Sequence, residues 1–162
     1  MKPRPPARET NVAPECVILI GLPGSGKTTF YREQFARTHR HVSKDLSPNT
    51  ARREAQQQSL LDKALAAGTS VVVDNTNATV TERAVLIRIA RSHGTRVIGY
   101  FFDVTTRAAV ARNANRSGPE KVPNVAIFTV AKRLQRPSAG EGFDELLRVE
   151  IAEDRSLRIS EF

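Results

Sequence analysis

The chain has no tryptophan, one cysteine, one methionine and only 6% aromatic residues. A lone thiol closes no internal disulfide and supplies no thiolate cluster for a structural zinc, so neither device staples the fold. Cys16 stands in the run Cys16-Val-Ile-Leu-Ile, where it reads as a small buried residue on a strand. No apolar run approaches the ~20 residues that cross a bilayer. The opening MKPRPPARETNVAPE is basic and proline-rich, without the apolar stretch of a secretory signal. These absences argue against a membrane protein and a secreted disulfide scaffold, and point to a cytoplasmic protein with a loose tail over residues 1–14. Scarce rings also leave little for stacking on bases, which turns any nucleic-acid contact toward the phosphate backbone.

The chain does have positive charge in excess. Its 25 Lys and Arg against 17 Asp and Glu give a net charge of +8 and a pI near 10.4. Clustered cations release counterions from a polyanion, so nucleic acid leads among partners. A solvated basic surface, or one that serves a nucleotide alone, accounts for the same surplus. At 162 residues and 40% hydrophobic, one globular domain over residues 15–162 is expected, with no internal repeat.

Apolar runs of strand length alternate with stretches of helical period, the pattern of a parallel sheet covered on both faces. Strands are predicted at Cys16–Ile20, near His41, at Val71–Val73 and over Val97–Phe102, with a weakly alternating tail through Leu146–Ile151 and Leu157–Ile159. A helix is predicted from about Lys27 to Thr38, and a longer one opens at Ser47-Pro48, an N-cap followed by a first-turn proline, and stops at Gly68. Thr79 and Glu82 have capping-box spacing ahead of Val85, Leu86, Ile87 and Ile89, so another helix runs to Gly94. An arginine-rich helix covers about Thr105–Ser117, and Asn124 opens one that ends near Leu134. The expected fold is α/β of the P-loop kinase kind, a parallel sheet of about five strands with a helical lid over about 105–123.

The loop Gly21-Leu-Pro-Gly-Ser-Gly26-Lys27-Thr28 fills every fixed position of G-x-x-x-x-G-K-[ST], between a hydrophobic strand and a helix. Its glycines let backbone N–H groups close around phosphates at a helix N-terminus. Gly21, Pro23, Gly24, Ser25 and Gly26 are the nucleotide loop, Lys27 reaches the outer phosphates, and the Thr28 hydroxyl is a Mg²⁺ ligand, with Thr29 the weaker alternative. Asp45 ends the second strand, where ligands of parallel sheets collect; it is either a base facing the acceptor or a cap of the turn before Ser47-Pro48. Asp74 ends the third strand, a place for a carboxylate near the Mg²⁺ shell, and Asn75 and Asn77 are either acceptor contacts or Asx-type turn formers. Arg112 and Arg116 share a helix face, with Arg107 about one turn back, and suit a phosphate clamp; a solvated basic helix is the plainer reading. The histidines His39, His41 and His93 are assigned no role.

Together, Gly21 to Thr29, Ser43-Lys-Asp45, Val72-Val-Asp-Asn-Thr-Asn77 and Arg112-Asn-Ala-Asn-Arg116 resemble the kinase domain of the 5′-hydroxyl polynucleotide kinases. Val122-Pro, Phe128 and Arg136-Pro-Ser-Ala-Gly-Glu-Gly-Phe143 are similar to the C-terminal part of the animal DNA-repair members. The resemblance implies transfer of the γ-phosphate of ATP or GTP, with Mg²⁺, to a 5′-OH end of DNA or RNA. It assigns Asp45 as general base, Arg116 as the lid arginine on the donor phosphates with Arg112 beside it, and the run Asp74 to Asn77 as the acceptor 3′-phosphate side. The phage members carry an arginine three residues after the base where this chain has Pro48, and their segment begins Ser-Asp-Thr-Asn, which leaves the role open between Asp74 and Asn75. No Asp-x-Asp-Gly-Thr run of a haloacid-dehalogenase phosphatase occurs, so a stand-alone kinase is expected. Two other readings fit the loop: a small-molecule kinase akin to zeta toxins, gluconate kinases or antibiotic kinases, and a nucleotide-dependent nucleic-acid-binding module without catalysis.

Overall fold

A computed structural model describes residues 13–46 and 50–162. The expected tail therefore lies almost wholly outside the described residues, as do Ser47 and Pro48. Six strands form one sheet in the order β2-β3-β1-β4-β5-β6, where β1 is Glu15–Ile20, β2 Arg40–Val42, β3 Val71–Asp74, β4 Arg96–Phe102, β5 Glu145–Ile151 and β6 Leu157–Glu161. The first five are parallel, and β6 runs antiparallel to β5. The expected parallel sheet of about five strands is present, and β6 adds an antiparallel edge strand to it. Every residue of β6 is exposed, so an edge strand with one partner leaves only a weak alternation in the sequence. A turn makes it: Ala152 N–H donates to the Ser156 carbonyl at 2.9 Å, Asp154 accepts from the Ser156 N–H and hydroxyl, and Arg155 sits at φ 67.

Helices α1 (Lys27–Gln34), α2 (Arg53–Ala66), α3 (Val80–Ser92), α4 (Thr106–Ala114) and α5 (Asn124–Arg133) connect the strands. The central strand β1 buries both faces. Cys16, Ile18 and Ile20 pack with Leu61 and Leu65 of α2 and Leu86, Ile87 and Ala90 of α3. Val17 and Leu19 pack with Phe30 and Tyr31 of α1, and with Phe102 and Val149. Burial, reinforced by the Glu15 charge, pushes the Cys16 thiol up to about 12, so this cysteine is packing rather than a nucleophile. The predicted capping box forms: Thr79 accepts from the Glu82 N–H at 3.2 Å while Glu82 accepts from Ala78 and Thr79.

Two helices are shorter than predicted. α1 stops at Gln34 because the chain turns through Phe35–Thr38 to lay β2 at the sheet edge, with Phe35 packed in a T-shaped arrangement on Phe30. α4 starts after Thr105, whose side chain caps the Ala108 N–H, and ends at Ala114. α2 is preceded by a short 3₁₀ turn at Thr50–Arg52. Among the described residues no helix is long and apolar enough to cross a membrane.

A third apolar cluster bears on function. Leu22 of the phosphate loop, Ala109 of α4 and Ile127 of α5 are buried together, so α4 of the expected lid, and α5 after it, pack directly on the loop. Gly24 marks the closest approach: at φ +79, a Cβ there would lie 2.7 Å from the Ala109 carbonyl oxygen. Only glycine tolerates both the left-handed backbone and that contact.

Candidate active site

The register Leu19↔Asp74 and Ile20↔Phe101 brings the carboxyl ends of β1, β3 and β4 level, and the phosphate loop leaves β1 at that edge. Gly21 donates to the Thr76 carbonyl at 3.0 Å, which ties the loop to the segment after β3. Gly26, at φ 96, is the N-cap of α1 and makes no side-chain cap bond, so the first amides of that helix keep their donors for a ligand.

Lys27 is buried at 7% exposure. Its ammonium donates to the carbonyls of Gly21 at 2.9 Å and Leu22 at 2.7 Å, and to Ser25 Oγ at 3.4 Å. Burial lowers its pKa to about 8; Asp74 and Asp45 oppose that shift, and Arg116 adds to it. The charges of Asp74, Asp45 and Arg116 thus all act on this one ammonium, which gathers four predicted site residues around a common centre.

Thr28 donates to Asp74 Oδ2 at 2.8 Å, and His41 Nε2 meets the same oxygen at 2.8 Å. Burial pushes the Asp74 carboxyl up, but the hydrogen bonds from His41 and Thr28 and the Lys27 charge outweigh it and hold the group below its usual range. A hydroxyl and a carboxylate side by side are hard oxygen donors, the set that suits Mg²⁺ held jointly with phosphates and water. Among the described residues no group of three or more His, Cys, Asp or Glu is placed to hold a metal; an ion here would be shared with the nucleotide.

His41 had no assigned role in the sequence, and the structure gives it one. Its ring stacks on Tyr31 with centroids 4.1 Å apart and planes 13° apart, which fixes the nitrogen that meets Asp74. The signal available was its place three residues before the strand-end turn, which is weak alone. Replacing His41 with Phe keeps the stack and removes the hydrogen bond. The expected result is a rise of about tenfold or more in the Mg²⁺ concentration that half-saturates nucleotide binding, measured by titrating a fluorescent nucleotide, since partners behind a ligand typically contribute 10- to 100-fold to metal affinity.

Asp45 lies in a short turn, Lys44–Leu46, directly after β2, and is exposed. Among the described residues its carboxylate has no hydrogen-bond or ion-pair partner, while its N–H donates to Ser43 Oγ at 3.2 Å. Asn75 holds this turn in place: its Oδ1 accepts from the Lys44 N–H at 2.9 Å and from Ser43 Oγ at 3.4 Å, and its Nδ2 donates to Gln57 Oε1. Asn77, at φ 44, is buried and donates to the Leu19 carbonyl at 2.7 Å and the Val73 carbonyl at 3.4 Å. The amides of both asparagines are therefore committed to the protein. They hold the ends of β1, β2 and β3 together because unpaired buried carbonyls there would be costly.

Arg112 lies against the loop, with Nε donating to the Gly24 carbonyl at 3.1 Å. Burial and the neighbouring cations Arg116 and Arg155 push its pKa down. Arg116 lies past the end of α4 and donates to the Glu120 carbonyl at 3.3 Å. Among the described residues Arg112, Arg116 and Arg155 enter no ion pair. Arg112 on the phosphate loop, with Arg116 and Arg155 close enough for their charges to act on it, suits an anion of high charge. Arg155 enters from the β5–β6 turn, which the sequence did not connect to the loop. Pro23, Ser25 and Thr29 fall within or just after the loop as expected, and Ser25 is fully buried.

Arg83 carried no sequence signal, yet it is fully buried. Its Nε and NH2 donate to the Glu141 carboxylate at 2.8 and 3.2 Å, and its NH1 donates to the Asn77 and Ala78 carbonyls at 2.9 and 3.0 Å. The loop after Asp74 is thereby fastened to the 139–141 turn.

A family model described as an AAA domain, AAA_33, matches residues 16–137. Among curated proteins the chain is 27% identical over 139 residues to the bifunctional polynucleotide phosphatase/kinase of Schizosaccharomyces pombe, covering 83% of this chain and 33% of that protein. It thus spans about a third of that relative's length. Among solved structures, a fungal RNA kinase superposes with TM-score 0.65 at 16% identity over 90% of this chain and 80% of its own. A gluconokinase from Sinorhizobium meliloti 1021 superposes with TM-score 0.62 at 19% identity, over 86% and 84%. These superpositions show the fold. With the loop, Lys27 and the Thr28–Asp74 pair in place, the chain belongs to the AAA_33 family and is a nucleotide-binding P-loop kinase domain, similar to those of the polynucleotide kinases.

Proposed function

We propose that this domain transfers the γ-phosphate of ATP or GTP to the 5′-hydroxyl end of a DNA or RNA strand. The observation that carries the reading is Asp45: an exposed carboxylate past the carboxyl end of β2, without a partner among the described residues and close enough for its charge to act on Lys27. The loop amides and Lys27 hold the triphosphate, and Thr28 and Asp74 hold Mg²⁺, which neutralises charge on the phosphates when bound. Asp45 accepts the proton of the acceptor hydroxyl as its oxygen bonds to the γ-phosphorus, and the bond from that phosphorus to the bridging oxygen breaks to release the diphosphate. Arg112 and Arg116 face the charge that develops on the transferred group. His41, Asn75 and Asn77 position these groups rather than react.

A base this exposed suits a long acceptor that lies across the cleft, and the surplus of basic residues supplies a sequence-independent grip on phosphates. The name of the fission-yeast relative points the same way. The gluconokinase likeness supports a small polyol acceptor through fold alone. The test is a panel of acceptors with Mg²⁺ and labelled ATP or GTP: 5′-hydroxyl and 5′-phosphate oligonucleotides of DNA and RNA, beside gluconate and nucleotide sugars. Transfer confined to 5′-hydroxyl ends supports the proposal, and transfer to a small polyol alone replaces it.

A further inference from the structure

Residues 115–121, which follow α4, are exposed along their length except at Arg116, which is partly buried. The base of this stretch is closed from within: Asn113, buried near the end of α4, donates from Nδ2 to the Val122 carbonyl at 2.6 Å and accepts from the Val122 N–H at 3.0 Å. Its tip stands open. At Gly118, φ +66, nothing lies within 4 Å of the place a Cβ would take. One contact crosses from the tip to the rest of the domain, where Arg32 NH2 donates to Glu120 Oε1 at 2.9 Å. Among the described residues no other hydrogen bond or ion pair joins 115–121 to an element beyond α4.

Both ends of that contact lead to the phosphate site. Arg32 lies on α1, five residues after Lys27, so the helix whose first amides face the nucleotide also holds the turn. The Glu120 carboxylate takes Arg32 while the Glu120 carbonyl accepts from Arg116 NH1 at 3.3 Å. The Arg32 hydrogen bond and charge keep the Glu120 carboxyl below its usual range, so the ion pair stands at neutral pH. The charge of Arg116 in turn reaches Lys27 and Arg112. A chain of contacts therefore runs from α1 through Glu120 to the arginine beside the phosphate loop.

We propose that Arg32 is a positioning residue for phosphoryl transfer: through Glu120 it holds the 118–120 turn against α1 and so fixes Arg116 over the phosphate loop. The assignment rests on the reading above that Arg116 faces the charge developing on the transferred group. A cation displaced from that charge loses rate even when the ground-state nucleotide is held as before. Both side chains are more than half exposed, so the pair biases the turn by about fivefold at most, and by less as salt screens it.

The test is single-turnover transfer from labelled ATP with Mg²⁺, read both to a 5′-hydroxyl oligonucleotide and to water, with ADP affinity measured beside it. Arg32→Gln and Glu120→Gln are each expected to slow transfer about three- to fivefold at low salt, with ADP affinity within about twofold of the wild type. Arg32→Lys keeps most of the rate, and the gap between wild type and Arg32→Gln narrows as salt is raised. The double variant is no slower than either single one, and Arg32→Gln slows nothing further in an Arg116→Ala background. Single variants as fast as the wild type overturn the assignment, as do additive losses in the double variant and an Arg32→Gln loss that persists at full size without Arg116. If the wild type hydrolyses ATP but labels no 5′-hydroxyl end, the acceptor reading fails while the hydrolysis rates still decide the role of Arg32. If it carries out neither reaction, Arg116 has no transfer to act on and both readings fall.

Discussion

Lys27→Met should give a protein that binds and transfers phosphate far less well and yet folds more stably. The ammonium is buried among carbonyls with its pKa lowered to about 8 from 10.5, so keeping it charged at neutral pH costs the fold about 3 kcal/mol. A lysine whose folded pKa lies below its unfolded value costs stability in full below about pH 8. That cost is relieved as pH rises from about 8 to 10.5, where the unfolded chain binds more protons. Methionine removes the cost but leaves the Gly21 and Leu22 carbonyls without their donor, so the net gain expected at pH 7 is about 1–2 kcal/mol by denaturant titration. Transfer should fall by about 10²–10³-fold, the scale for removing one preorganised cation from developing charge. In the wild type, nucleotide affinity should decline above about pH 8 as the free-state ammonium loses its proton, and calorimetric titration between pH 7 and 9.5 checks it. A Met variant that is less stable than wild type, or an affinity flat across that range, contradicts this account of the loop.

Arg83→Met has the largest expected effect on the fold. The guanidinium is fully buried and its bonds span α3, the loop after Asp74 and the 139–141 turn. Removing it strands the Glu141 carboxylate, whose side chain is 8% exposed, and breaking a buried pair from one side costs about 3–5 kcal/mol. For a domain of this size that is about 10 °C of melting temperature. The double variant Arg83→Met with Glu141→Leu should recover a large part of the loss, because no charge is then left unpaired. Loss of nucleotide binding should follow unfolding and not precede it, since neither residue touches the phosphate loop.

The alternation of apolar runs and the G-x-x-x-x-G-K-T spacing made the parallel sheet and the phosphate loop legible, because both are local patterns that follow from strand and helix periods. Thr79 and Glu82 were legible for the same reason. β6 was faint, since an edge strand with all five residues exposed needs no strict alternation. The hydrogen bonds of His41, Asn75 and Asn77 depend on which strands lie side by side, and the order β2-β3-β1 is a tertiary fact that no window of sequence contains. Arg83 and Glu141, 58 positions apart, read in isolation as ordinary surface charges. Arg155 comes near Arg112 by the same route, through the turn after β5.

The most direct test of the account is single-turnover transfer from labelled ATP with Mg²⁺ to a 5′-hydroxyl oligonucleotide by wild-type protein and by Asp45→Asn side by side, with nucleotide affinity measured for both. The account predicts labelling by the wild type, a loss of about 10²–10⁴-fold in Asp45→Asn, the range of a positioned base, and nucleotide affinity within about threefold between the two, since the role proposed for Asp45 is on the acceptor and not on the donor phosphates. Equal labelling by both proteins, or no labelling of the 5′-hydroxyl end by a wild-type protein that still binds the nucleotide, would contradict it.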